Sequence, residues 1–592
     1  MPSITPRDSA PDAGRRGLLA HWHGPRHPSP QGETLAERIL HARGITDSAF
    51  LNPTLTQLHD PSLLPGIDRA AQRVLDALSR DESIAIYGDY DVDGISAAAI
   101  LWHTLRAIRP DARLQTYLPH RLDEGYGLNT EALCERLGSC QLVVSVDCGI
   151  TAVEPARAVR DSGRDLIITD HHLPRADGVL PEAFALVHPS LPLAAAYPCP
   201  DLSGAGVAFK LAWRLVTLHC GGRATPPLRA LLMDMLALAS MGIIADVVPL
   251  LGENRVIARQ GLRQIAQTGL PGLRALRDES MNNETGVDAE AIAFRLGPRL
   301  NAVGRLGHAG KALEMLKTDD PELAASIAAE LTHINDERRN REAAITRDAE
   351  KQAIQAGMDR PDRRAIVLAQ RDWDRGIVGI CCARLVERFC RPVILLQDDG
   401  DTCHGSGRSV DSVDLHGALQ ACSSSLISFG GHAMAAGVHL KSSRLGEFAE
   451  RFIEHVNGCL APDDLTPVIH LDGTCEASDL TLAAVTELDS LRPYGRGNPK
   501  PTLLLRGVRR TGPLRSMGKD ERHIRFDVRG AGGVVRVKGW NWAKRLVDAG
   551  LSLEEGQSLD LVVRPAVNDW MGRRTVECEM IDLALPTSDL NR

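Results

Sequence analysis

Carboxylates and imidazoles gather at three places in this sequence, each directly after a short apolar run. Gly88-Asp89-Tyr90-Asp91-Val92-Asp93-Gly94 follows Ser83–Tyr87, Asp147 follows Leu142–Val146, and Asp170-His171-His172 follows Leu166–Thr169. Apolar, β-branched runs that break into polar residues are the pattern of buried parallel strands meeting their C-terminal loops. In open α/β sheets that edge binds ligands. Crowding acids and imidazoles there is costly unless cations neutralise them, so the chemistry indicated is a metal centre. Oxygen and imidazole donors suit Mn²⁺ or Mg²⁺ better than a thiolate-loving metal. The Asp89, Asp91, Asp93 spacing imitates the start of an EF-hand loop. Its twelfth position, which should be a bidentate Glu, is Ile100, and the run before Asp89 is strand-like. Asp147 or Asp170 alone reads as a helix cap, and neighbouring histidines on a strand point to opposite faces. The combination carries the inference.

The elements that must position these groups follow from patterning. Strand and helix patterns alternate from about Ser83 to Val256, which predicts a parallel sheet. The longest apolar stretch, Leu228 to Leu251, contains Asp234 and Asp246 and reads as a buried helix plus strand; no membrane span is predicted. Pro321 to Gly357 has no internal Gly or Pro and reads as one long connecting helix. A second α/β segment follows, with Ala365–Ala369 and Val393–Leu396 as strands. After about Asp463 short strands with Gly-containing turns, such as Ile524–Val528 and Val534–Val537, suit a small barrel of oligonucleotide-binding (OB) type. Arg525, Arg529, Arg536, Lys538, Arg573 and Arg574 share that region with Phe526, Trp540, Trp542 and Trp570. Basic residues interleaved with aromatics suit single-strand binding. Plain alternation of core and solvated face explains the same residues equally well.

At 592 residues the chain requires several domains. The expected division is a poorly ordered Pro, Gly, Arg and His-rich leader over 1–34, a catalytic domain with its N-terminal segment over 35–318, a connecting helix over 319–357, a second α/β domain over 358–462 and the barrel over 463–592. Thirteen cysteines without a C-x-x-C pair suggest neither a zinc ribbon nor a disulfide framework, and with no secretory signal they fit a reducing cytoplasm. A net charge of −8 gives no global signal for nucleic acid, so any DNA binding requires a local basic track.

The three clusters resemble motifs I, II and III of the DHH phosphoesterase superfamily, and Gly242-Ile243-Ile244-Ala245-Asp246-Val247-Val248-Pro249 resembles its fourth. Arg121–Asn129, Pro298–Arg305 and Gly430–Gly437 resemble the EGYGLN, PRLNAxGR and GGH segments of its bacterial single-strand-specific 5′ exonuclease branch, which carries an accessory DHHA1 domain. The resemblance runs from about Leu35 to about Leu585. It implies an α/β fold with a parallel-sheet DHH domain, a DHHA1 domain and an OB barrel. It also implies a two-metal, 5′-to-3′ single-stranded-DNA exonuclease of DNA repair and recombination that releases mononucleotides. By the same resemblance Asp93, Asp147, His171 and Asp246 surround one Mn²⁺ or Mg²⁺ ion, Asp91 holds a second, Asp147 bridges and Asp89 lies nearby. His172 contacts the scissile phosphate or assists proton transfer, and Asp170 orients a histidine.

Substrate contacts are expected from Arg121, Arg299, Asn301, Arg305, Ser406, Arg408, Ser409, Gly431 and His432. Single-stranded DNA is the expected partner, with a helicase and a single-strand-binding protein as further ones, and a monomer is expected. The alternatives are an oligonucleotide or cyclic-dinucleotide phosphodiesterase, which would not need the barrel, and an inactive DNA-binding scaffold, which would lack ligands that are present here. One departure stands out: Trp373-Asp374 occupies the place of a usual Trp-His, and Asp374 cannot donate to a phosphate at neutral pH.

Overall fold

The computed structural model describes residues 15–25, 27, 33–121, 123–191, 197–281 and 286–585. Two short strands, β1 (Arg15–Arg16) and β2 (His21–His23), open the chain. The catalytic domain is built on β3 (Ile84–Gly88), β4 (Leu114–Tyr117), β5 (Leu142–Val146), β6 (Asp165–Thr169) and β7 (Ala185–Val187). All four pairings are parallel, in the order β4-β3-β5-β6-β7. Every residue of β3 and β5 is buried, as strands covered on both faces require. The order reverses between β3 and β5, so a crevice opens there at the C-terminal edge. Asp89, Asp147 and Asp170 each follow the last residue of β3, β5 and β6 at that edge.

Beyond Val187 the domain is helical rather than alternating. The stretch expected to be helix plus strand is one helix, Pro226–Ala245, ending in a cap at Asp246. With a mean hydropathy of 1.8 it is apolar and long enough to cross a membrane. Here it packs against the helices Val92–Ile108, Gly204–His219 and Gly252–Ile265. The fully buried Lys210 of the second of these donates to Glu253 of the third and, at 2.6 Å, to the His59 carbonyl. That anchors the helix whose N-terminus enters the site.

The helix Pro321–Gln355 leads to the second domain; its first turn is capped by Asp320, whose carboxylate accepts from the amides of Glu322 and Leu323. The second sheet comprises β8 (Ile366–Gln370), β9 (Val393–Asp398), β10 (Thr402–Arg408), β11 (Ser428–Gly431) and β12 (Ala435–Lys441), ordered β11-β12-β10-β9-β8. After β13 (Val468–His470) come β14 (Gly473–Cys475), β15 (Leu503–Met517), β16 (His523–Gly530), β17 (Gly533–Gly539), β18 (Ser558–Trp570) and β19 (Arg573–Ala584). Pairing of β15 with both β16 and β18 closes a five-strand barrel, β15-β16-β17-β19-β18, with β14 added beside β15.

Two boundaries differ from expectation. Residues 15–25 are not a poorly ordered leader: β2 pairs in parallel with β13, and Trp22 is buried with its Nε1 2.8 Å from the Asp582 carboxylate. Residues 1–14 lie outside the described ones. The helix Leu35–Ala42 belongs to the barrel rather than to the catalytic domain, since Leu35, Ile39 and Leu40 share a core with Leu503, Phe526 and Trp542. An apolar face on a short helix must be covered somewhere, and sequence distance does not say by what. The barrel is tied to the catalytic domain by Arg255, whose buried guanidinium donates to the carbonyls of Phe50, Leu491 and Arg492 at 2.8, 3.0 and 2.9 Å.

Candidate active site

The loop after β3 is held from both sides. Asp91 caps the helix Val92–Ile108, its Oδ1 accepting from the amides of Asp93 at 2.9 Å and Gly94 at 3.1 Å. Asn301, on the helix Gly297–Leu306, accepts from the Val92 amide at 3.1 Å. Asp93 points into the N-terminus of Gly204–His219, where Ser203 Oγ (2.9 Å) and the amides of Gly204 (2.7 Å) and Ala205 (2.9 Å) donate to its carboxylate. A helix N-terminus suits an anion. Two glycines leave the room required. A Cβ on Gly204 would lie 2.2 Å from Asp147 Oδ1, and one on Gly242 would lie 2.0 Å from Asp93 Oδ1. Gly242 opens the fourth motif, whereas Ser203 and Gly204 act on the site without a motif of their own, and only the Ser-Gly-x-Gly start of a helix marks them in the sequence.

Asp147, His171 and Asp246 complete the cluster. His171 Nε2 lies 3.1 Å from Asp147 Oδ1, 3.7 Å from Asp246 Oδ2 and 3.8 Å from Asp93 Oδ2. Asp89, Asp91 and Asp147 bring oxygens together on the other side. Asp147 adopts φ +62°, and Val247, beside Asp246, adopts φ +58°. The left-handed region is unfavourable for a β-branched residue, so backbone strain is stored at the centre.

The donor set fits divalent cations. Asp89 Oδ1, Asp147 Oδ1 and His171 Nε2 are buried and lack hydrogen-bond partners. Burial, then Asp93, Asp91 and Asp89 push the Asp147 carboxyl well above the usual range, and burial followed by Asp91 does the same to Asp89. Burial and neighbouring carboxylates raise Asp93 to about 6 and Asp246 to about 8. Burial and the charge of His172 lower His171 to about 3, which keeps it neutral and able to ligate.

Asp170 has a different task. Burial would raise its carboxyl, but His172 and the Ile150 amide hold it at about 2. It accepts from the amides of His171 (2.7 Å) and His172 (3.1 Å) and lies 2.8 Å from His172 Nδ1. Burial would lower His172, yet the bond to Asp170 raises it to about 9. The Nδ1 proton therefore faces Asp170, and Nε2 is left on the far side of the ring. Tyr126 Oη, 2.9 Å from His172 Nδ1, and His188 Nε2, 2.8 Å from the His172 carbonyl, brace this loop. Neither was assigned a role from sequence.

The residues expected to contact substrate separate into two groups. Arg121, Arg305 and Arg408 come together. Burial, then Arg121, Arg338 and Arg408, lower the Arg305 guanidinium to about 9; burial and Arg121 lower Arg408. Mutually repelling guanidinium groups beside the carboxylate cluster would suit an anion. Ser406 lies on the same strand as Arg408, β10. Arg305 and Arg408 also donate to the carbonyls of Gly376 (3.2 Å) and Gly407 (2.7 Å); apart from this cluster, Arg299 donates to Thr332 Oγ1 at 2.9 Å and to the Arg295 carbonyl at 2.7 Å, Asn301 holds Val92, and Ser409 donates to the Val413 carbonyl at 2.8 Å. Gly431, at φ +137°, and His432 are exposed where β11 turns to β12. Asp374 accepts from the Gly376 amide at 2.8 Å and from Arg341 at 3.2 Å, so it stabilises a turn.

In the barrel, Phe526 and Trp542 are core residues, whereas Trp540 is exposed. The side chain of Trp570 lies outside the described residues. Cross-strand register aligns Arg515 with Arg525 and Arg525 with Lys538, and Arg509 with Arg529. Like charges placed directly opposite destabilise a sheet, which a polyanion would relieve. Lys538 is paired with Glu577 and Arg536 with Asp527.

Comparison with known proteins agrees with this anatomy. Residues 83–243 match the DHH family N-terminal domain, 362–461 the DHHA1 domain and 471–582 the RecJ OB domain. The single-stranded-DNA-specific exonuclease RecJ of Bacillus subtilis is 36% identical over 541 residues, 90% of this chain, which spans 65% of that relative's length. RecJ of Dickeya dadantii is 35% identical over 92% of this chain and 94% of its own. The crystal structure of Thermus thermophilus RecJ in complex with Mn²⁺ superposes with a TM-score of 0.78 at 32% identity, covering 93% of this chain and 76% of that one; the complex with Mg²⁺ gives 0.71 at 30%, over 93% and 74%. Fold and site together define a DHH–DHHA1 phosphoesterase carrying an OB barrel. Among such proteins the chain belongs to the RecJ family of single-stranded-DNA-specific exonucleases.

Proposed function

We propose that this chain removes mononucleotides from the 5′ end of single-stranded DNA by hydrolysis assisted by two divalent cations. The observation that carries the reading is the buried carboxylate and imidazole cluster at the sheet's reversal point, with the Arg121, Arg305 and Arg408 cluster beside it. Asp93, Asp147, His171 and Asp246 would hold one ion, and Asp89, Asp91 and Asp147 the other. Mn²⁺ or Mg²⁺ bound there would lower the pKa of water and offset phosphodiester charge. Asp147 belongs to both ligand groups. Asp170 fixes His172 so that Nε2 can hold or pass a proton at the phosphate. The three arginines bind the terminal phosphate and set the distance from the strand end to the cut; the 5′ polarity follows the family resemblance. The barrel's cationic rows hold the following single strand.

A cyclic-dinucleotide phosphodiesterase would have no use for those rows. An inactive scaffold would not gather five repelling carboxylates, three of them buried. A monomer in the cytoplasm, supplied with unwound strand by a helicase and a single-strand-binding protein, belongs to the same proposal. Asp147→Ala tests the site. Activity should vanish, while the melting temperature of the ion-free variant should equal or exceed that of wild type, because a buried, repelled carboxylate is gone. Turnover at the wild-type rate would sink the assignment.

A further inference from the structure

One face of the second sheet is partly uncovered along β10, β11 and β12. In its register His404 of β10 lies beside His439 of β12, and His439 beside Ser428 of β11. The next row on the same face is Ser406, Gly437 and Gly430, because residues two apart on a strand share a face. The helix Val378–Phe389 packs over β9 and β10 on the side bearing Leu395 and Val393. Past it, Arg121, Arg375, His404, Gly430, Gly437 and His439 line a cavity of about 400 Å³.

The two imidazoles are stacked, with centroids 3.7 Å apart and rings 20° from parallel. His439 Nε2 is buried and has no hydrogen-bond partner. Burial, then His439 and Arg375, lower the pKa of His404, which favours its neutral form against the neighbouring ring. A flat π surface, a floor of glycine backbone and two guanidinium groups are what a single nucleotide needs: stacking for its base and cations for its phosphates. Arg121 also belongs to the arginine cluster beside Asp89, so the cavity adjoins the proposed terminal-phosphate site.

We propose that the His404–His439 pair is a stacking platform that seats one nucleobase of the bound single strand next to the arginine cluster. The inference rests on the exonuclease reading above and adds positioning residues to it. Stacking tolerates every base, so the platform orders the strand without selecting sequence.

The test uses the full chain with chelator, which prevents cutting, and single-stranded oligonucleotides carrying 2-aminopurine at successive positions from the 5′ end. Quenching should be concentrated at one position near that end in the wild type and should be relieved in His404→Ala and His439→Ala. The alanine variants should bind about tenfold more weakly, and in separate turnover assays with Mn²⁺ the loss should fall on KM more than on kcat, while His404→Phe retains both quenching and affinity. Uniform fluorescence at all positions in the wild type would overturn the proposal, whatever the variants do. So would wild-type affinity in both alanine variants, or a phenylalanine variant as weak as alanine. If the wild type bound no single strand at all, the exonuclease reading would fall as well, which separates the two failures.

Discussion

Gly204→Ala separates the geometry of the metal centre from the stability of the fold. The added Cβ would meet Asp147 Oδ1 at 2.2 Å and Asp147 Cβ and Cγ at 2.5 Å. Asp147 sits at φ +62° between β5 and the helix it faces, so the conflict must be resolved by displacing its carboxylate. A displacement of roughly 1 Å in a catalytic group costs on the order of 10²-fold in rate. Overpacking a tight interior costs about 1–3 kcal/mol. Gly206→Ala is the control. Its Cβ would lie 2.6 Å from Leu202 Cδ1, so it introduces a clash two residues further along the same helix, against a leucine rather than a carboxylate. Both variants should melt a few degrees below wild type. Only Gly204→Ala should lose about 10²-fold in kcat and bind Mn²⁺ more weakly by calorimetry. Equal kcat losses in the two variants, or wild-type kcat in Gly204→Ala, would refute the claim that this helix N-terminus shapes the site.

Two further outcomes follow from charge. Asp93 at about 6 and Asp246 at about 8 in the ion-free protein titrate above their unfolded value of about 4. Their stabilising contribution is complete below pH 4 and is lost as pH rises through those values, so chelated protein should melt lower at pH 8 than at pH 6. Mn²⁺ should raise the melting temperature more at pH 8; a shift independent of pH would contradict the carboxylate assignment. In the barrel, replacing Arg515 and Arg525 by Ser should weaken single-strand binding and reduce the slope of log K against log salt by about 1.4. An unchanged slope would remove this face from the DNA track.

Much of this site was legible before folding was considered. Apolar runs ending in Asp89, Asp147 and Asp170 are strong signals because a buried parallel strand leaves little ambiguity in pattern, and its C-terminal edge is where function gathers. Asp246 is found by motif within a stretch read as helix plus strand; it caps a single helix, and a short apolar run does not distinguish the two. Arg299, Asn301 and Ser409 show the limit for polar residues: type and motif cannot say whether a donor faces a phosphate or a carbonyl of its own chain. The packing of Leu35–Ala42 and Trp22 onto the barrel, and the meeting of His404 with His439 across two strands, depend on contacts distant in sequence. Those contacts leave no local periodicity to read.

The most direct test of the account is product analysis with Mn²⁺ on single-stranded DNA labelled at either the 5′ or the 3′ end, alongside a blunt duplex. The account predicts immediate release of labelled mononucleotide from the 5′-labelled strand alone, with the duplex spared. Intact DNA alongside turnover of dinucleotides or cyclic dinucleotides would keep the metal centre and contradict the substrate.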